Sequence, residues 1–427
     1  MVRMLARIPL AWWILIAGIF GTGLGFAAPD FARQSAFLSN IFLRLIQSII
    51  APVLFGVLVR AIGGAGDLRS LGRLGWKSLV LFEVNTTIAL LLGWFTAVIV
   101  QPGRGVHLAV AAMPEVTHAG FTATLEKVFP SSIVDAMARG DVLQIVVFCL
   151  LFGLAANMAR EHGAVIVRFA DAVAEVAFAY TRLIMYFAPV AVAAAMASTV
   201  AGNGSAALEG LARFVASSYA AQLLFLIAVL GGVLVLARVP LRPFAAAARE
   251  PFLVAFATTS SAAALPATLD HMERFGVPKR ILGVVAPLSL SLHLTGSTIH
   301  LAMATLFVAQ AAGMELSWGR QLLILATLKI TSKGVAGIPR ANFVILTGLF
   351  ASYGIPAEGL TMLLGVDAII DMIRTSVNVV GHCAAGPVLT RWEGEPLTPA
   401  ASAASPVPPG QLPVEEHSRA PAHSNPR

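Results

Sequence analysis

Residues 258–266 read Thr-Thr-Ser-Ser-Ala-Ala-Ala-Leu-Pro and interrupt an otherwise apolar segment at 252–275. The interruption is too polar for this segment to cross a bilayer as one uniform helix. Residues 331–339 read Thr-Ser-Lys-Gly-Val-Ala-Gly-Ile-Pro and interrupt the segment at 321–353 in the same way. When the two prolines are aligned, the segments form a weak internal repeat with broken helices in matching places.

Each interrupted segment precedes a longer apolar helix, predicted at 281–312 and at 357–390. Backbone without helical hydrogen bonds is tolerated at membrane depth only where it is buried in protein or lines a watery cavity. Paired interruptions of this kind are typical of transporter binding sites. The sequence therefore predicts an arrangement of hairpin plus helix that occurs twice.

The composition indicates an integral membrane protein. Of the 427 residues, 57% are hydrophobic and 12% are charged, whereas about a quarter of the residues of a soluble protein are charged. The net charge of +7 includes short basic clusters between apolar segments, such as Arg69, Arg73 and Lys77. This distribution favours cytoplasmic loops over a nucleic-acid interface. We therefore expect membrane lipid, and no nucleic acid, around the chain.

Six spans are predicted before the first interruption, at 8–28, 37–62, 79–101, 133–156, 164–200 and 206–237. Basic loops at 65–77 and 238–249 are predicted to be cytoplasmic, which also places the N-terminus in the cytoplasm. Residues 391–427 are rich in Pro, Ala, Ser and His and are predicted to form a disordered cytoplasmic tail. We expect a multi-pass protein of the plasma (inner) membrane with both termini in the cytoplasm.

Five polar residues align on one face of the last predicted helix: Asp367, Asp371, Arg374, Thr375 and Asn378. Ionisable groups within a membrane cost several kcal/mol and are functional candidates by default. Arg374 can present a planar fork of donors to a carboxylate, and Asp371 can accept from an ammonium group or hold that fork. The alternative is an internal ion pair between Asp371 and Arg374 that only closes the helix bundle.

Several segments together resemble one family. They are Ser260-Ser261 through Leu265-Pro266, Gly334 through Pro339, Asp367 through Gly381, Gly140 through Gln144, and the pair Ala188-Pro189. Over about residues 8–390 the chain is similar to the dicarboxylate/amino acid:cation symporters, which include prokaryotic glutamate and aspartate transporter homologues.

The resemblance implies an all-α integral membrane fold with eight transmembrane helices and two re-entrant helical hairpins, built from inverted repeats. It also implies a homotrimer in which the hairpins act as gates and a core moves as an elevator against a static scaffold. On this division, residues 1–250 are mainly scaffold and trimerisation region. Residues 251–390 form the core transport region, which comprises hairpin 1, helix 7, hairpin 2 and helix 8, and residues 391–427 form the tail.

The resemblance further assigns substrate contacts. Arg374 would hold a side-chain carboxylate of the substrate, and Asp371 its amino group. Thr375 and Asn378 would contact the remaining polar atoms. The hairpin tips would contribute Ser260, Ser261 and Gly337. Arg340 is a further candidate, which either binds a second carboxylate or lies at the extracellular rim.

The chain departs from the family where the family binds sodium. The family motif Asn-Met-Asp-Gly-Thr is replaced by His293-Leu294-Thr295-Gly296-Ser297, and a second acidic position is occupied by His382. Hard cations prefer carboxylates and other oxygens, whereas histidine titrates nearest to physiological pH. The cation-coupling candidates are Thr86, Thr87, His293, Thr295, Asp367 and His382, and no metal site is certain among them.

We expect coupling to protons or a loss of coupling, with H+ and Na+ both kept as candidates for the coupling ion. The alternative is that the histidines only hydrogen-bond backbone carbonyls freed where the helices unwind. The sequence thus predicts a secondary active symporter of a small anionic solute, a dicarboxylate or an acidic amino acid, without a cofactor. An uncoupled anion channel or a substrate sensor on the same fold is the alternative. An intramembrane enzyme is disfavoured because no nucleophile and base can be placed together from their spacing.

Overall fold

The computed structural model describes residues 10–63, 72–106, 108, 129–332 and 341–398. Every regular element within these ranges is a helix. In chain order they are α1 (Leu10–Ala27), α2 (Pro29–Ser48), α3 (Ile50–Gly63), α4 (Gly72–Val100), α5 (Ile133–Arg139), α6 (Val142–Met158), α7 (Glu161–Met185), α8 (Ala188–Leu224), α9 (Gly231–Leu236), α10 (Leu241–Thr258), α11 (Ser261–Phe275), α12 (Lys279–Leu292), α13 (Thr295–Ala311), α14 (Trp318–Thr331), α15 (Ala341–Tyr353) and α16 (Glu358–Trp392). A π-helical turn, Phe225–Leu230, joins α8 to α9. The prediction of an all-helical fold is confirmed for the described residues.

Several of these helices are long and apolar enough to cross a bilayer. Four described stretches meet that criterion by length and composition: Pro29–Arg60, Gly72–Val100, Ala188–Leu236 and Lys279–Ala311. Shorter apolar helices lie at Trp12–Ala27, Gln144–Met158 and Asn342–Tyr353. Large apolar side chains on the outer surface, such as Ile19 and Leu236, are exposed. Extended apolar surface of this kind marks contact with lipid or protein rather than water.

Several predicted spans are divided in the structure: the span at 37–62 falls into α2 and α3, and the span at 133–156 falls into α5 and α6. The span predicted at 164–200 is broken after Met185, and α8 begins at Ala188. Pro189 lies in the first turn of α8. Because proline lacks an N–H group and disfavours helical geometry in the residue before it, one helix does not run through this point. α8 then continues past residue 200 with a bend at Gly204, which adopts φ 60° and ψ −142°.

The first interrupted segment forms two helices, α10 and α11. α10 ends at Thr258, and Thr259 adopts a left-handed conformation with φ 51°. Ser260 then caps α11, because its Oγ accepts a hydrogen bond from the backbone N–H of Ala263 at 3.2 Å. Both helices pack against α16. The second interruption, predicted at 331–339, lies outside the described residues from 333 onward, and α14, which ends at Thr331, and α15 flank the undescribed part.

A further break divides the helix predicted at 281–312 into α12 and α13. His293 and Leu294 leave helical geometry there, with φ −109° and ψ 57° for His293 and φ −97° and ψ 62° for Leu294. α13 is buried over nearly its whole length. α16 is buried over most of its length and packs against α13. The break therefore lies beside the polar face of α16.

An ion-pair cluster joins the first turns of α4 to the end of α16. Glu393 Oε2 lies 2.8 Å from the guanidinium of Arg73, and Glu393 Oε1 lies 2.7 Å from Lys77 Nζ. Hydrogen bonds from Lys77 and from Arg73 hold the pKa of Glu393 below its usual value. The cluster therefore stabilises the ionised form of this carboxylate.

We expect Glu393→Gln to lower the midpoint of thermal unfolding at neutral pH. Because the pKa of Glu393 is depressed in the folded protein, its stabilising contribution is complete above the unfolded-state pKa and is lost as the pH falls through the folded-state pKa. Thermal scans in detergent should show the difference from wild type shrinking on acidification. Glu315→Gln removes an exposed carboxylate and should show no such trend. A difference that is the same at every pH would contradict this role of Glu393.

Candidate functional site

The polar face predicted for the last helix forms a buried ion-pair triad on α16. Arg374 Nη1 lies 3.0 Å from Asp367 Oδ1, and Arg374 Nη2 lies 2.8 Å from Asp371 Oδ1. Thr375 Oγ1 donates to the same oxygen of Asp371 at 2.8 Å. The side chain of Arg374 is 4% exposed and that of Asp367 1%. The guanidinium of Arg374 thus pairs with two carboxylates in a site with little exposure to solvent.

This arrangement contains the internal ion pair that the sequence offered as an alternative, and extends it. Asp367, a candidate for cation coupling, is a partner of Arg374 here. A buried ion pair by itself is weak support for stability, since removing two charges from water costs about as much as their attraction returns. Removing only one partner is costly, however, because a charge is then buried alone. The triad therefore fixes the position of the Arg374 guanidinium, and removing any one of its three charged members should destabilise the fold.

Asn378 lies one turn further along α16 and caps the first turn of α13. Its Oδ1 accepts from the backbone N–H groups of Gly296 at 2.8 Å and Ser297 at 3.3 Å, and its Nδ2 donates to Ser297 Oγ at 3.1 Å. The first N–H groups of a helix have no partner within the helix, so a side chain from elsewhere can satisfy them. The substrate contact expected for Asn378 stays a prediction; its contacts here hold the break in place.

We expect Asn378→Ala to destabilise the fold by about 1–3 kcal/mol, because the buried N–H group of Gly296 and the half-buried one of Ser297 lose their acceptor. The measurement is the thermal unfolding midpoint of the purified protein. Asn203→Ala is the matched control: this asparagine donates to a carbonyl of its own helix, that of Thr199, so its loss should cost much less. Equal midpoints for the two variants would contradict the capping role of Asn378.

Three of the cation-coupling candidates come together at the α12–α13 break. His293 and His382 have ring centroids 6.5 Å apart, and Gly381 lies against both His293 and Thr295. The His293 ring stacks on Phe82 of α4, with centroids 4.7 Å apart. His293, Thr295 and His382 are all buried. The predicted grouping of these three residues is thus present in the structure.

Asn85 of α4 joins this cluster and was not among the candidates. Its Nδ2 lies 3.0 Å from His293 Nε2. The amide and the imidazole are therefore within hydrogen-bond distance of each other. Among the described residues, Asn85 Oδ1, Thr295 Oγ1 and His382 Nε2 have no hydrogen-bond partner. Buried polar atoms without partners are uncommon and point to a small ligand, ion or proton at the cluster.

The remaining candidates lie elsewhere or outside the described residues. Thr87 is exposed and donates to the carbonyl of Glu83 in its own helix. Thr86 is buried on the other side of the same turn and contacts α14. Ser260 is engaged as the cap of α11, and Ser261 is the first residue of that helix. Gly337 and Arg340 fall on residues that the structure does not describe.

Gln222 is a further polar residue that sequence reasoning missed. It is fully buried in α8, and its Nε2 donates to the backbone carbonyl of Gly296 at 2.9 Å. Tyr219, one turn earlier, donates its hydroxyl to the carbonyl of Ile369 at 2.8 Å. The sequence does contain a signal that could have identified Gln222: it is a glutamine within an apolar span, and an amide in such a span needs a buried partner.

Known proteins resemble the chain over nearly its whole described length. A family model described as the sodium:dicarboxylate symporter family matches residues 10–392. The proton/sodium-glutamate symport protein of Bacillus caldotenax is 38% identical in an alignment of 402 positions that covers 91% of this chain and 96% of that protein. The proton/glutamate-aspartate symporter of Escherichia coli (strain K12) is 36% identical in an alignment of 408 positions that covers 91% of this chain and 93% of that protein.

A protein named for a different solute is equally similar. The C4-dicarboxylate transport protein of Geobacter sp. (strain M21) is 36% identical in an alignment of 397 positions that covers 90% of each chain. These matches confirm the resemblance inferred from the motifs and the prediction of a transport protein rather than an enzyme. The chain belongs to the sodium:dicarboxylate symporter family.

Proposed function

We propose that the protein is a secondary active symporter for a small carboxylate solute, either a dicarboxylate or an acidic amino acid. The observation that carries the proposal is the buried guanidinium of Arg374, which lies between Asp367 and Asp371 on α16. The relatives are named for glutamate, aspartate and C4-dicarboxylates. All of these solutes bear carboxylates, which a guanidinium can bind with two parallel hydrogen bonds.

Binding would proceed by an exchange of partners at Arg374. Asp371 is the more accessible carboxylate, with 16% of its side chain exposed against 1% for Asp367. A substrate carboxylate that displaces Asp371 from the guanidinium leaves Asp371 and Thr375 beside it as acceptors for an ammonium group. The ion pair between Asp367 and Arg374 would remain in place during this exchange. This exchange would suit an acidic amino acid, whereas a dicarboxylate would use a second cation, for which Arg340 is the candidate.

The hairpin tips complete the proposed substrate site. Ser260 and Ser261 lie at the junction of α10 and α11, which packs against α16. Gly337 would contribute from the second tip. The finer architecture belongs to the same proposal: eight transmembrane helices, two re-entrant hairpins and a homotrimer in which a core at 251–390 moves against a region at 1–250 that is mainly scaffold and trimerisation region. Both termini, including a tail at 391–427, would be cytoplasmic, with the protein in the plasma membrane.

Cation coupling is assigned to the buried cluster of His293, Thr295, His382 and Asn85. The two imidazoles lie with their ring centroids 6.5 Å apart, and their nitrogens can accept and donate a proton. The oxygens of Asn85 and Thr295 would instead suit a sodium ion, although a hard cation prefers a carboxylate among its ligands. The relatives are named for both ions. A proton is the coupling ion that this set of side chains favours.

Uptake into proteoliposomes tests the proposal, with labelled aspartate, glutamate and succinate as solutes. Gradients of Na+ and of H+ are imposed separately. Accumulation that follows the pH gradient and collapses with a proton ionophore is the expected result. Strict dependence on sodium would overturn the proton assignment. A current gated by the solute without accumulation would replace the symporter by a channel.

A further inference from the structure

Lys329, in the last turn of α14, directs its ammonium group at three oxygens of α4. Nζ lies 2.7 Å from Glu83 Oε2, 2.9 Å from the Glu83 carbonyl oxygen and 2.7 Å from Thr86 Oγ1. An ammonium group has three donors, so each of them meets an oxygen of a different chemical kind. The Lys329 side chain is only 23% exposed. The Glu83 side chain is 47% exposed, so the ammonium group, with all three of its donors engaged, lies at the half-exposed edge between α4 and α14.

The three oxygens form a site that would also suit a soluble alkali cation. Carboxylate, carbonyl and hydroxyl oxygens are the ligands that hard cations prefer. Thr86 donates its own proton to the Phe82 carbonyl at 2.7 Å, which turns a hydroxyl lone pair toward the ammonium group. The site also adjoins the coupling cluster, because Asn85, the residue before Thr86, contacts His293.

We propose that the ammonium group of Lys329 is a tethered cation that fills this oxygen site on α4 in place of a soluble alkali cation. The inference rests on the proposed function, since it concerns the cation requirement of transport. A lysine carried on α14 supplies the positive charge without an ion from solution, so occupancy of the site does not depend on the sodium concentration. It also ties α14, which flanks the second interruption, to α4. Movement of α14 away from α4 requires that these three contacts break.

A second lysine of similar chemistry provides a matched control. Lys77 Nζ lies 2.7 Å from Glu393 Oε1 and 2.7 Å from the Trp392 carbonyl oxygen. It also joins α4 to another helix, but it lies nine residues before Thr86 on α4. Lys77→Met therefore removes an ion pair of comparable length without emptying the oxygen site at Glu83 and Thr86.

The test compares Lys329→Met with wild type and with Lys77→Met. Solute uptake and the thermal unfolding midpoint are each measured in NaCl and in choline chloride at equal ionic strength. Without the ammonium group, sodium should bind among the three oxygens. NaCl should then raise the uptake rate of Lys329→Met several-fold. It should also raise the thermal unfolding midpoint of this variant, because a ligand that binds only the folded state stabilises it. Wild type and Lys77→Met should respond to sodium less than Lys329→Met in both measurements.

Two further variants test whether the sodium response depends on the charge of residue 329 and on the Glu83 carboxylate. Lys329→Arg retains the charge and should respond to sodium as wild type does. Lys329→Met combined with Glu83→Gln lacks the carboxylate and should lose the sodium response of the single variant. If Lys329→Met responds to sodium no more than Lys77→Met, Lys329 is a structural ion-pair partner only and the inference is wrong. The thermal unfolding midpoint in NaCl is measured on purified protein and does not depend on transport. Failure of the symporter proposal would instead appear as the absence of solute uptake by wild type, so the two failures can be told apart.

Discussion

Arg374→Ala is expected to abolish uptake of acidic solutes and to leave a protein that unfolds at a lower temperature. The guanidinium contacts both Asp367 and Asp371 on its own helix. Its removal leaves two carboxylates close together and largely out of water, a loss that costs about 3–5 kcal/mol when one partner of a buried pair is removed. It also deletes the donor fork proposed to bind the substrate carboxylate. Uptake of labelled aspartate and succinate, beside that of a neutral amino acid, measures the effect.

A surface ion pair of the same composition is the control for Arg374→Ala. Arg274 contacts Asp270 one turn away, and both side chains are more than half exposed. Exposed pairs contribute about 0–1 kcal/mol, so Arg274→Ala should change neither stability nor uptake appreciably. The double variant Arg374→Ala with Asp367→Asn removes one of the two carboxylates that Arg374 contacts. It should regain part of the stability but none of the acidic uptake. Acidic uptake that survives Arg374→Ala would refute the role of the guanidinium.

Gly296→Ala is expected to disrupt the packing of α13 against α16 and to abolish transport. A Cβ at this position would overlap the backbone carbonyl oxygen of Arg374 and would press on Gln222 Oε1 at 3.1 Å. Backbone atoms cannot turn aside as a flexible side chain can, so α13 would have to move away from α16. Overpacking of this kind costs about 1–3 kcal/mol or more. The contacts of Gly296 with Asn378 and Gln222 would be strained at the same time, and we expect transport to be lost.

Gly283→Ala is the matched control, because no atom lies within 4 Å of the Cβ that it would introduce in α12. Alanine favours a helix over glycine by about 1 kcal/mol, so this variant should be as stable as wild type or more so. The thermal unfolding midpoint and initial uptake rate of both variants are compared with wild type. If Gly296→Ala retains the wild-type midpoint, α13 and α16 do not approach each other this closely in the functional protein.

The sequence predicted those features of the site that depend on neighbours along the chain. Helical spacing placed Asp371, Arg374 and Thr375 on one face, and all three contact each other. The polar run ending at Pro266 predicted an interruption, and the chain breaks at Thr259 and Ser260. Both features follow from local periodicity and capping chemistry, which a single sequence contains.

Contacts between distant segments could not be predicted in the same way. Asn378 meets Gly296 because α13 begins at a break in the chain 82 residues earlier, and spacing along α16 carries no information about that approach. The Gln222 contact with Gly296 spans 74 residues. The three-oxygen environment of Lys329 spans 246 residues to Glu83. For these contacts the sequence indicates only that a polar group in an apolar span needs some partner.

The backbone of Gly296 is held at both of its polar atoms by two different helices. Its N–H donates to Asn378 on α16, and its carbonyl accepts from Gln222 on α8. Tyr219 adds a second link between α8 and α16. The part of α8 after Gly204, α13 and α16 are thereby fastened together around one residue and should move as a rigid body. Any conformational change during a transport cycle must then be absorbed at hinges outside this unit, of which the bend at Gly204 is one.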